Sequence, residues 1–197
     1  MVSKKTICLG VGSIAMAFML NACGGGIPSC DDSDVQDLVK SIYMDGYLKK
    51  HGITEIKDDS SKVVSEYGTK AEKLIKDKLK LTMNSFTTER KDEKRSRVVC
   101  TAKISGDMKD NEIRDALELM YRAVAAKMTL GKNEDLTDGK FDDYVKKYHG
   151  SQNNYERELD KEVEKIDDEL HDSRYILEYT AKRTDDGKLI VEVENAK

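Results

Sequence analysis

The 197-residue sequence predicts an α+β fold: an N-terminal helix packed on a four-stranded antiparallel sheet of two hairpins, with a helical insertion between the hairpins. Three observations carry this. Apolar residues recur at helical spacing after Ser33. The period then drops to two in two pairs of short segments, one pair within 79–105 and the other within 175–193. The residues separating those pairs, about 107–172, show helical periodicity throughout.

The first helix is expected to start at Ser33. Ser33 and Gln36 have capping-box spacing, Asp31, Asp32 and Asp34 suit a helix N-terminus, and Val35, Leu38, Val39 and Ile42 form one stripe. It should run to about Lys50, with His51-Gly52 as its stop. Residues 53–60 read as loop, and 61–76 as a second helix weakened by Gly68. Leu79, Leu81 and Met83 alternate with Lys80, Thr82 and Asn84, which is a half-buried strand reaching about Glu89. Lys91 to Lys94 is the expected turn and 96–105 the returning strand, where Val98, Cys100, Ala102 and Ile104 share one face.

The second hairpin lies near the C-terminus. Tyr175, Leu177, Tyr179 and Ala181 share a face, Thr184-Asp185-Asp186-Gly187 supplies an Asp-Gly turn, and Leu189, Val191 and Val193 share the returning face. In the insertion, Ile113, Ala116, Leu117, Met120, Tyr121, Val124 and Met128 make a wide apolar stripe. Tyr155, Leu159, Val163, Ile166 and Leu170 make a narrow one, expected to pack on a single neighbour. The block carries 19 acidic and 11 basic residues, net −8, so most of its faces are expected to be wet.

Composition excludes several functions. Net charge is −4, whereas an electrostatic nucleic-acid binder would show a clear basic excess. Aromatics are 6% with no Trp, which argues against a large aromatic-walled substrate pocket. His51, His149 and His171 fall in no metal-ligand spacing, and His149 and His171 read as helix C-terminal residues near the negative end of the dipole. Glu134 to Gly139 is a poor calcium loop, because Leu136 stands where a ligand belongs, and reads as a solvated turn. Arg90, Lys91, Lys94, Arg95 and Arg97 form a basic hairpin tip interrupted by Glu89, Asp92 and Glu93. That is ordinarily a solvated turn, with contact to anionic lipid headgroups as the alternative. No catalytic residue, metal ligand or cofactor is nominated.

Residues 1–22 read as an export signal. Lys4 and Lys5 precede an apolar run of about fifteen residues, Thr6 to Leu20, too short for a spanning helix. The run ends in Leu20-Asn21-Ala22-Cys23, followed by Gly24, Gly25 and Gly26. This resembles the lipobox of bacterial lipoproteins. The resemblance implies that Cys23 becomes the first residue, carries a diacylglycerol thioether and fastens the protein to a bilayer, with 23–29 as a Gly-rich tether and 30–197 as one domain. For a Gram-negative host it also implies the periplasmic face of the outer membrane, since the residue after the cysteine is Gly24 rather than the Asp that retains such proteins in the inner membrane; in a Gram-positive host the lipid would sit in the plasma membrane.

Four cysteines are present. With Cys8 leaving in the signal and Cys23 lipidated, Cys30 and Cys100 remain, and in an oxidising compartment an even pair reads as one disulfide. A helix followed by hairpin and hairpin, with a cysteine before the helix bonded to a strand, resembles small exported domains of cystatin-like or NTF2-like shape. The function expected is a non-enzymatic binding protein that meets a protein partner through the helical insertion. The alternatives are a small NTF2-like enzyme or ligand carrier of the envelope, and an inhibitor of an exported enzyme.

Overall fold

The computed structural model describes residues 16–17, 26–130, 134–172 and 175–196. Cys23, the lipobox and most of the export signal lie outside the described residues. The elements in chain order are β1 (Met16–Ala17), α1 (Ser33–Lys50), α2 (Ile53–Lys57), α3 (Lys62–Lys78), β2 (Lys80–Asp92), β3 (Arg97–Asp107), α4 (Asp110–Thr129), α5 (Asp138–His149), α6 (Gln152–His171), β4 (Ile176–Arg183) and β5 (Leu189–Ala196). The fold is α+β. An N-terminal helix packs against a four-stranded antiparallel sheet, and a helical insertion separates the strand pairs in the chain.

Strand order is β1-β5-β4-β3-β2, the two residues of β1 adding to the outer side of β5. β3 and β4 pair from Arg97 opposite Lys182 to Lys103 opposite Ile176. β4 and β5 pair through a turn in which the Gly187 N–H donates to Thr184 O at 2.8 Å. Gly187 has φ 81°, the left-handed conformation that an Asp-Gly turn requires.

Contacts group the chain into two compact units. The first takes the described residues up to Ile42 together with Met83–Lys103 and the chain from Tyr175 onward; the second takes Tyr43–Thr82 and Ile104–Arg174. The first unit buries Val35, Leu38 and Val39 of α1 with Val98, Cys100, Ala102, Leu177, Tyr179, Ala181, Leu189 and Val191 of the sheet. These are the residues the two periodicities single out.

In the second unit the inserted helices share one core with the end of α1, α2 and α3, built on Leu48, Ile53, Ala71, Ile75, Ile113, Leu117, Val145, Leu159 and Leu170. Three expectations change here. Residues 53–60 contain α2, whose Ile53 is 1% exposed, rather than a loop only. Gly68 is a packing requirement rather than a weakness: a Cβ there would stand 2.4 Å from the backbone N of Lys57, so its absence lets α2 lie against α3. The narrow stripe of α6 is buried at Tyr155, Leu159, Val163 and Leu170, and α6 meets α4 and α5 rather than one neighbour.

Helix ends follow local chemistry. The Asp34 N–H donates to Asp32 Oδ1 at 3.0 Å, so Asp32 caps α1 in place of Ser33. Gly52, at φ 73°, ends that helix as expected. Thr137 and Ser151 cap α5 and α6 through their hydroxyls, so Glu134 to Gly139 does lead into the next helix.

Candidate functional site

The disulfide joins Cys30 to Cys100, with Cα atoms 5.7 Å apart across 70 positions of sequence. Both cysteines are buried, and the Tyr179 hydroxyl donates to the carbonyl oxygen of Cys30 at 2.6 Å. Burial pushes the Tyr179 phenol up to about 12. The bridge therefore fastens the chain three residues before α1 to the inward face of β3, and Tyr179 ties β4 to the same point. Such a bond fits an oxidising, extracytoplasmic environment, since cytosolic thiols are kept reduced.

In the helical unit, Tyr47, His51, Ile113, Leu117, Met120 and Ile166 line an apolar pocket of about 30 Å³ together with Ile53, Ile75 and Met108. Two of its lining residues carry polar groups, Tyr47 and His51, the latter one position past the end of α1. The imidazole Nε2 lies 3.5 Å from Glu169 Oε1, makes no hydrogen bond among the described residues, and the ring sits 4.4 Å from that of Tyr47. Burial lowers the His51 pKa despite the neighbouring carboxylate, so the ring stays neutral at neutral pH. Burial works against the Glu169 carboxylate as well, but the hydrogen bond from Lys50 at 2.5 Å and the charges of Lys50 and His51 hold it ionised, with a lowered pKa. A space of this size takes one small apolar group.

Met120 continues along α4 to Val124 and Met128 at four-residue spacing, and these two are 38% and 53% exposed. Here the wide stripe departs from expectation, because its far end is solvent-facing while Ala123, Ala125 and Ala126 go inward.

Beside it, Tyr121, Phe141, His149 and Tyr155 form edge-on aromatic contacts with ring centroids 5.4–5.8 Å apart. His149 sits in the last turn of α5 as the sequence predicts, and its Nδ1 meets Glu158 Oε2 at 2.5 Å. The Tyr155 hydroxyl is buried without a hydrogen-bond partner among the described residues, and its pKa is raised by that burial. This cluster holds α4, α5 and α6 together. Its residues are scattered through 35 positions, so local patterns gave no signal for it.

Arg114 bridges α4 to α6 through Glu156 and Asp160. Among the described residues no group of three or more His, Cys, Asp or Glu could hold a metal ion, and no helix is long and apolar enough to cross a membrane. Comparison with known family models, curated proteins and solved structures finds no match.

Proposed function

We propose that this chain is a lipid-anchored, non-enzymatic binding protein of the bacterial cell envelope, tethered through acylated Cys23 at the periplasmic face of the outer membrane. It engages a protein partner through its helical unit. The observation that carries the binding half is an apolar pocket with Met120 in its lining, together with exposed Val124 and Met128 at four-residue spacing further along the same helix. A small pocket next to a methionine-bearing helix face suits one anchoring apolar side chain of a partner, with flexible thioethers adapting around it. The same pocket is too small for a substrate to be enclosed with catalytic groups around it. The anchoring half rests on the lipobox-like Leu20 to Cys23 and on Gly24.

Two variants of the full chain test these halves separately. Cys23→Ser should abolish palmitate incorporation and detergent-phase partition; retained label would sink the anchor. A photo-crosslinking residue at Val124 should trap a discrete envelope protein, and Met128→Asp should suppress that adduct while leaving thermal stability unchanged. Equal trapping from a crosslinker at Lys94, in the β2–β3 turn, would show that α4 is not the docking face.

A further inference from the structure

Arg90 of β2, Arg95 of the following turn and Arg97 of β3 line a concavity of about 160 Å³ together with Asp92 and Val99. The antiparallel register brings the other hairpin turn to the same end of the sheet, since Arg97 lies opposite Lys182 and the Arg183 N–H donates to Ser96 O at 3.1 Å. The cations of that second turn are matched. Lys182 pairs with Glu192 at 3.1 Å, Lys188 with Asp186 at 2.9 Å, and Arg183 lies 3.9 Å from Asp32.

The concavity holds three arginines to one carboxylate, so two guanidiniums, those of Arg90 and Arg97, go without an ion pair among the described residues. Its one carboxylate, Asp92, lies 3.9 Å from Arg95 Nε and accepts the Arg95 backbone N–H. Arg90 makes no ion pair among the described residues. Arg97 donates through Nη2 to Thr180 Oγ1 at 3.2 Å, while its Nε is buried with no hydrogen-bond partner among the described residues. A buried guanidinium N–H without an acceptor is costly, and the residue that carries it is one of those lining the concavity.

We propose that Arg90, Arg95 and Arg97 form a binding site for a phosphate-bearing anion, filled at the bilayer by the phosphate of an anionic lipid headgroup. Guanidinium forks match phosphate oxygens in pairs, and three of them around one concavity supply both geometry and excess charge. Placement supports the headgroup as the source. The disulfide holds Cys30 three residues along β3 from Arg97, and the seven residues from Cys23 to Cys30 span at most about 25 Å when fully extended. An acyl group on Cys23 would keep this end of the sheet close to the headgroups, where basic side chains are attracted within about a Debye length. The choice of source rests on the lipid-anchor reading; the anion site does not.

The test uses the full chain, labelled with ¹⁵N-arginine, in nonionic detergent micelles. The Arg97 Nε–Hε signal is followed while inorganic phosphate is added, and separately while micelles are doped with phosphatidylglycerol or with phosphatidylcholine. A saturable shift is expected, with phosphatidylglycerol effective at a tenfold or lower concentration than inorganic phosphate and phosphatidylcholine weaker than either. R90Q/R95Q, both exposed positions, should weaken binding at least tenfold with an unchanged melting temperature, whereas K91Q/K94Q should change it less than twofold. Saturation by inorganic phosphate alone would keep the site and overturn the headgroup as its ligand. No saturable shift from any of the three, or an equal loss in both double variants, would overturn the site. Failure of the anchor is read independently, as absent palmitate labelling with phosphate binding intact.

Discussion

Replacing Gly68 by Ala sets two effects of opposite sign against each other, and the structure decides which wins. In an exposed helix interior the change gains about 1 kcal/mol, because Ala orders less backbone freedom than Gly. At position 68 the new Cβ would lie 2.4 Å from Lys57 N, 2.7 Å from Lys57 Cα and 2.8 Å from the Ile56 carbonyl carbon. All three are backbone atoms, so no side chain can rotate away. Relief needs α2 to move by about an ångström, which disturbs the Ser65 hydroxyl's bond to Lys57 O at 2.5 Å and the seat of Ile53, 1% exposed. Overpacking of this kind costs about 1–3 kcal/mol, and partial exposure of an Ile side chain adds about 1 more. The net expectation is a loss of about 2 kcal/mol, or a melting temperature lower by about 4–8 °C for a chain of this size. Gly46, inside α1, is the internal control: a Cβ there meets nothing within 4 Å, so Gly46→Ala should raise the melting temperature by about 2–4 °C. Thermal unfolding of the full chain by circular dichroism measures both. If Gly68→Ala melts at or above the parent temperature, the close approach of α2 to α3 is not as described.

Three further outcomes are expected. The Cys30→Ala/Cys100→Ala protein should lose about 4 kcal/mol in the chain-entropy account of a 70-residue loop, seen as a lower denaturation midpoint, and the parent should show no reactive thiol at either position before reduction. Tyr179→Phe should cost about 1–3 kcal/mol by leaving the buried Cys30 carbonyl without its donor; a neutral result in urea unfolding would mean that water replaces the hydroxyl. For pH, the lowered His51 pKa means that the unfolded chain binds this proton more readily than the folded one. Stability should therefore rise with pH below the ordinary histidine value of about 6.5 and be lost on acidification through that window. The lowered Glu169 pKa acts with the same sign below the ordinary glutamate range. The upper part of this slope should vanish in His51→Gln; an unchanged slope would assign it elsewhere.

Where structure follows from local pattern, the sequence alone was sufficient. The alternation of Val98, Cys100 and Ala102, and of Leu177, Tyr179 and Ala181, identifies the inward faces because a strand exposes alternate residues to opposite sides, and both sets are buried. Gly52 and Gly187 stop a helix and close a turn because each sits at positive φ, a demand met within a few residues of sequence. The pairing of Cys30 with Cys100 is legible once Cys8 and Cys23 are set aside, and the strand face that points Cys100 inward agrees with it. The tertiary structure decided what depends on a partner distant in the chain. Five residues cannot sustain an isolated helix, so α2 exists through its packing on α3, and Gly68 reads as a defect until Lys57 is placed against it. The stripe of α6 specifies a buried side but not how many neighbours share it. The pocket at His51 joins residues from positions 47 to 166, and the concavity at Arg97 depends on which carboxylates reach which guanidiniums. Periodicity records that a face is covered; only the fold determines what covers it, because side-chain contacts across long stretches of chain leave no repeat in the sequence.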